Sequence, residues 1–251
     1  MRYSKYVQSD LNGIFHSVKC DLKKGHNVLF AGTPCQVSGL RAYIGKPYSD
    51  QLTTVDLVCH AVPSPQIWKD YIKYIEQRYK SKVRSALFRD KKWGWSKCKE
   101  TFLLSNNKTL TRRTYDDLYF QLYTVRESCS NCKFTNLNRV GDITIGDFWG
   151  WGKNHKEFND DKGISLVLIN TTKGQILFNG IKDSVHYVES SVTECMQPQL
   201  NTPIVLNPRR EDFIADYKAH GFEYVGKKYA DLGIKSRVIQ LLRDIKNRIS
   251  K

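Results

Sequence analysis

Four of the seven cysteines have settings suited to metal or redox chemistry. Cys129 and Cys132 form a CxxC pair in "CSNCKF". Two thiolates fill only half of a tetrahedral zinc site or an iron–sulfur cluster, each of which takes four ligands. Cys35 in "GTPCQ" and Cys59 in "LVCH" are the natural candidates for the other half, because each follows an apolar run that reads as a strand. In an open parallel sheet the ends of such strands share one edge, where ligands collect. From the residues alone three fates stay open for the four thiols: a shared metal or cluster, a redox disulfide at the CxxC, or unrelated burial. The spacing is neither the C-x2-C-x2-C run of bacterial ferredoxins nor that of paired zinc knuckles. The CxxC does not open a helix after a strand, so it lacks the thioredoxin-like setting. Cys20, Cys98 and Cys195 stand apart and read as small hydrophobes.

The elements that must place these residues can be read from pattern. "NVLFAG" (27–32) is a short buried strand. "TPCQVSGLRAYI" (33–44) follows as a helix, with Pro34 in the first turn, where its missing N–H costs nothing. "QLTTVDLVCH" (51–60) is the next strand, and "SPQIWKDYIKYIEQRY" (64–79) a helix starting at Ser64 and Pro65. This alternation predicts an α/β fold with a mixed, largely parallel sheet flanked by helices. Residues 100–114 read as an inserted hairpin, 115–123 as a helix, 140–152 as a strand entering a glycine- and tryptophan-rich bend, and 163–170 as a strand. Thr171 caps a helix over 171–181, and 209–222 holds a short helix in an irregular C-terminal region. Residues 233–251 form a basic amphipathic helix, a candidate for peripheral membrane or partner contact. The expected division is an α/β core over 1–190 and an extension over 191–251.

Composition narrows the class. The 251 residues carry 40% hydrophobic side chains and 14 tyrosines, enough for a packed core and against disorder. No apolar run reaches the 18 or so residues of a membrane span, and "MRYSKYVQSD" has no signal-peptide core. An odd cysteine count without a secretory signal points to the reducing cytoplasm. The formal charge of +15 attracts anionic partners. No zinc-finger, helix-turn-helix or RNA-binding pattern accompanies it, so nucleic acid is a poor candidate partner.

The blocks "SKYVQSD" (4–10), "FAGTPCQVSGL" (30–40), "TVDLVCHAVPSP" (54–65), "CSNCKF" (129–134) and "DITIGDFWG" (142–150) resemble the beta-subunit family of coenzyme F-420 hydrogenase and dehydrogenase. "NPRREDFIADYKAHGF" (207–222) resembles that family's tail. The resemblance implies an iron–sulfur flavoprotein that moves electrons between a [4Fe-4S] cluster, FAD and a deazaflavin coenzyme serving as hydride donor or acceptor. It implies Cys35, Cys59, Cys129 and Cys132 as cluster ligands, the same set that the strand ends suggest. It places the flavin near the "AGTPC" turn and the "GDFWG" bend.

Gly32, Thr33, Pro34, Gln36, Asp147 and Trp149 are therefore the expected cofactor-binding residues. An ordinary strand-to-helix turn, a turn cap at Asp147 and core packing of Trp149 or Trp151 are their plainer alternatives. His60 beside Cys59 is a candidate proton donor or sulfur hydrogen-bond donor, or a surface histidine. Arg112, Arg113 and Lys133 could steer an acidic substrate, or be solvated charge. Many relatives carry an N-terminal ferredoxin-like segment, which this chain is expected to lack, so further clusters would come from a redox partner. The subgroup also resembles proteins linked to polysaccharide biosynthesis. A non-catalytic accessory protein holding a structural cluster or zinc is the alternative function.

Overall fold

The computed structural model describes residues 4, 6–151 and 160–233. The described elements run α1 (Ile14–Lys23), β1 (Val28–Ala31), α2 (Pro34–Ile44), β2 (Leu52–Leu57), α3 (Pro65–Tyr79), β3 (Val83–Leu87), β4 (Glu100–Leu104), β5 (Thr109–Arg112), α4 (Thr114–Phe120), β6 (Ile143–Asp147), β7 (Ser165–Ile169), α5 (Thr172–Asn179), α6 (Val192–Cys195) and α7 (Arg210–Tyr229). They form two units. One comprises residues 1–8, 61–130 and 205–251, the other residues 9–60 and 131–204. The expected basic helix at 233–251 lies outside the described residues apart from Gly233.

The second unit carries the largely parallel sheet, in the order β1-β2-β6-β7. β1 and β6 both run parallel to β2, and β7 closes the edge antiparallel to β6. Val18 and Leu22 of α1 and Val37, Leu40 and Ile44 of α2 pack with Phe30 and Leu52 on one face of it. Strand β2 alternates strictly between buried and half-buried positions, but two of its three inward residues are polar, Thr54 and Asp56. Thr54 donates to Asp142 Oδ2 through its backbone N–H (2.8 Å) and its hydroxyl (2.9 Å). Thr171 donates to Asp142 Oδ1 (2.9 Å), and the Arg41 guanidinium lies 3.0 Å from Oδ2. Burial acts to raise the Asp142 carboxyl, but the Thr54 and Thr171 bonds and the Arg41 charge outweigh it and hold the group below its ordinary range. Thr171 also caps α5 by accepting from Gly174 N–H at 3.1 Å.

Gly174 is required by close approach. A Cβ there would stand 2.1 Å from the Asp142 carbonyl oxygen, which is backbone and cannot swing away.

The other unit is built on an antiparallel sheet, β3-β4-β5. The expected hairpin is present as β4 and β5, turning at Asn107 in a left-handed conformation (φ 63°). Helix α3 lays Ile67, Tyr71 and Ile75 against Phe102, Leu104, Tyr115, Phe213 and Phe222. Helix α7 is longer than the pattern suggested, because the chain resumes helical geometry after a break at Gly221 (φ 76°).

Acid groups are buried in this core. Glu100 Oε1 accepts from Tyr71 Oη (2.8 Å) and Tyr115 N–H (3.1 Å). Its other oxygen and both oxygens of Asp116 are buried with no hydrogen-bond partner among the described residues. Burial first, with Asp117 adding, pushes Asp116 up to about 7, although Arg89 and Arg113 pull the other way. Burial first, then Asp116, pushes Glu100 well above the usual carboxylate range.

These buried groups and contacts can be tested by stability. The folded chain binds an extra proton at Asp116 between its ordinary value of 3.8 and about 7. Stability therefore falls as pH rises through that window, by roughly 2–3 kcal/mol between pH 5 and 8. Urea midpoints across that range should show the decline, and Asp116→Asn should remove much of the slope. A flat profile in the parent chain would mean that the cations match the carboxylates. Gly174→Ala should cost about 1–3 kcal/mol by overpacking α5 on β6, readable as a lower urea midpoint at unchanged m-value.

Candidate functional site

The parallel ladder sets the geometry. Val28 to Ala31 pair with Leu52 to Val55, and Gly32 N–H extends the ladder to the Val55 carbonyl (3.0 Å). Val55 to Leu57 pair in turn with Ile143 to Ile145. All three strands run the same way, so the turn after β1, the exit of β2 and the bend after β6 leave one edge of the sheet. That edge collects Gly32–Gln36, Cys59–His60 and Asp147–Trp149, most of the residues singled out in the sequence.

At the first exit, Thr33 is the N-cap of α2 in extended conformation and Pro34 is the first helical residue. Gln36 folds back so that its Oε1 accepts from Thr33 N–H at 2.8 Å, which makes a capping box. Gly32 is close-packed: a Cβ would lie 3.0 Å from both Gln36 Oε1 and the Phe30 ring. Cys35 is exposed in the first helical turn, with its sulfur 3.2 Å from Thr33 Oγ1. Since the Gln36 oxygen is committed to the cap, its Nε2 is the atom left over. It is buried and has no hydrogen-bond partner among the described residues. A donor in that state is costly unless it meets an acceptor.

At the second exit, Val58 N–H pairs with the Ile145 carbonyl (2.9 Å), and half-buried Cys59 follows. His60 Nδ1 lies 2.9 Å from Gln199 Nε2. With the amide donating, Nδ1 accepts, and the neutral ring carries its proton on Nε2. At the third exit, Trp149 N–H donates to Gln197 Oε1 (3.1 Å), while its side chain is 43% exposed. Trp151 is buried against Phe148 and serves the core. Asp147 ends β6 opposite Ser165.

Cys132 is half-buried in the loop before β6, and its carbonyl accepts from Thr135 Oγ1 (3.1 Å). Sequence reasoning missed what holds this loop. Arg139, 1% exposed, contacts Asp56 at 3.2 Å, donates to the Leu57 carbonyl (2.8 Å) and reaches the Phe134 and Asn136 carbonyls (2.6 and 3.2 Å). The available signal was a carboxylate at an inward position of β2.

Cys129 belongs to the other unit, on a 3-10 turn at Glu127–Asn131, where its N–H donates to the Arg126 carbonyl (3.0 Å). Arg112 and Arg113 are in that unit too and are engaged internally, on Tyr79 Oη (2.7 Å) and Asp117 (3.1 Å). Lys133 is exposed. Cys195 is buried among Phe148, Trp151, Leu166 and Leu200, the small hydrophobe that was expected. Cys20 lies 3.4 Å from His16 Nε2. Burial raises the Cys98 thiol.

All seven cysteines are free thiols. Among the described residues, no three His, Cys, Asp or Glu side chains are grouped so as to hold a metal ion. The donor chemistry of the four expected ligands nevertheless suits iron or zinc, as soft thiolates not committed to disulfides. The described residues also include no helix long and apolar enough to cross a membrane.

No curated protein matches the chain. Among solved structures it is similar to a chain of the xenon-derivatised F420-reducing [NiFe] hydrogenase complex from Methanosarcina barkeri. The two are 15% identical, with 90% of this chain and 68% of that one covered and a TM-score of 0.47. The family model for the C terminus of the coenzyme F420 hydrogenase/dehydrogenase beta subunit matches residues 25–194, which span both halves of the sheet and all four candidate cysteines. On that match the chain belongs to the coenzyme F420 hydrogenase/dehydrogenase beta-subunit family, a family of redox proteins.

Proposed function

We propose that the chain is a flavin-dependent oxidoreductase subunit that holds one [4Fe-4S] cluster through cysteines that include Cys35, Cys59 and Cys132, and FAD beside Gly32–Gln36 and Asp147–Trp149. Its substrate is a small coenzyme of the deazaflavin class, and a ferredoxin-like protein is its electron partner. The carrying observation is the shared edge: parallel pairing brings the Cys35 turn, the Cys59 exit and the 147–149 bend out of the same side of one sheet. When bound, cluster and flavin together interconvert one-electron and two-electron transfer.

The protein's own part is binding and orientation. The capping box fixes the start of α2, so Cys35 and the Gln36 amide are held by backbone geometry. The buried Gln36 Nε2 supplies a donor for an acceptor atom of a bound group, and the first turn of α2 adds the positive end of its dipole. The Gln199 contact at Nδ1 orients the His60 ring beside Cys59. Trp149, 43% exposed at the bend, is the proposed stacking surface for a ring.

Anaerobic purification tests this directly. The protein should be brown, with about four iron atoms per chain and releasable FAD. Cys35→Ser, Cys59→Ser and Cys132→Ser should each lose most of the iron. A colourless protein with stoichiometric zinc would replace this reading with that of a structural accessory protein. A protein with neither metal nor flavin would remove both.

A further inference from the structure

We propose that Arg139 is the positioning residue that fastens the Cys132 loop to the end of β2 from which Cys59 emerges. The inference rests on the cluster reading for its purpose, but its geometry is independent of any bound group. The segment from Cys132 to Arg139 contains no regular element. Its internal ties are short-range turns: Thr135 to the Cys132 carbonyl, Asn136 Nδ2 to the Lys133 carbonyl (2.9 Å), Asn138 N–H to Asn136 Oδ1 (2.9 Å) and Arg139 N–H to the Leu137 carbonyl (2.9 Å). Leu137, an apolar residue that could anchor it, is 42% exposed. Turns of this kind shape a loop without attaching it to anything.

Attachment comes from one guanidinium. Nη1 donates to the Phe134 and Asn136 carbonyls on the loop. Nη2 donates to the Leu57 carbonyl and meets Asp56 Oδ1, both on β2, and Nε reaches Thr144 Oγ1 at 3.2 Å. Asp56 returns the connection, its Oδ2 accepting from the N–H groups of Val140 (3.2 Å) and Gly141 (3.1 Å). Gly141 permits the approach, since a Cβ there would fall 2.7 Å from Asp56 N. Leu57 is two residues before Cys59 and Phe134 two residues after Cys132. A single planar cation thus spans the bases of two thiol-bearing segments.

A fully buried ion pair is a poor way to gain stability, because desolvation offsets most of the attraction. A fork of donors aimed at five backbone and side-chain acceptors is instead a way to specify geometry, and lysine cannot reproduce it. A role in general stability predicts that loss of Arg139 loosens the whole unit. A positioning role predicts a local effect at Cys132.

The test uses the full chain, stripped of metal by chelation under reducing conditions, and reads alkylation of each cysteine by iodoacetamide with mass spectrometry. In Arg139→Gln, Cys132 should label about tenfold faster than in the parent, as the loop's local opening free energy falls, while Cys35 labels at an unchanged rate. Circular dichroism and a cooperative melt establish that the variant is folded. Should Arg139→Gln fail to fold, Arg139→Lys takes its place, with the same contrast at smaller amplitude. Equal acceleration at Cys35 and Cys132, or none at either, in a folded variant overturns the inference. Iron content of the anaerobically purified pair is read alongside. A parent without iron defeats the cluster reading and leaves the labelling contrast to decide the loop's attachment. A parent with iron and an Arg139→Gln variant with equal iron and unchanged Cys132 labelling defeats the positioning role alone.

Discussion

Parallel pairing of β1, β2 and β6 is the constraint on which the rest depends. Three strands that run the same way must each deliver their following residues to one edge. Position at that edge is therefore inherited from the register of the ladder, before any side chain makes a contact. The Gly32–Gln36 turn, Cys59 with His60, and the 147–149 bend occupy it for that reason. Loops are free to vary in such a sheet, and the chemistry is carried by what they place on a rigid rim.

The same sheet is stabilised in an unusual way on its inner face. Where an apolar alternation would put a second and a third hydrophobe after Leu52, β2 carries Thr54 and Asp56. Each is matched to a segment far away in the chain, Thr54 to Asp142 and Asp56 to Arg139 and the N–H groups of Val140 and Gly141, while Arg41 of α2 adds to the Thr54 pair from nearby. These contacts satisfy buried polar groups that would otherwise cost a few kcal/mol each. They also fix where the 132–142 segment joins the sheet, a matter on which hydrophobic packing is indifferent.

Much of this was legible in the residues. Pro34 and Pro65 each mark a helix start correctly, and apolar runs located β1, β2 and β7. Strand β3 was not seen, because Val83–Leu87 is half-buried or exposed along its length and has no clean alternation. The pattern ends α7 early, at Phe222, just past Gly221, where one residue leaves helical geometry and the next resumes it. Thr33 and Gln36 were read as ligand contacts, yet "TPCQ" is itself a capping-box pattern, and the box is what both residues form first. The Arg139–Asp56 pair escaped notice because its members are 83 residues apart, and pattern carries no information about such distances.

The division of the chain has a consequence for how it can be assembled. The second unit is made of residues 9–60 and 131–204, with the stretch 61–130 belonging elsewhere. Strands β1 and β2 can pair as soon as both are synthesised, but β6 cannot join them until some eighty more residues have left the ribosome. Until then the inward Asp56 is a carboxylate without its arginine. The nascent half-sheet is thus unattractive as a dry interface and keeps water on that face until its true neighbour arrives.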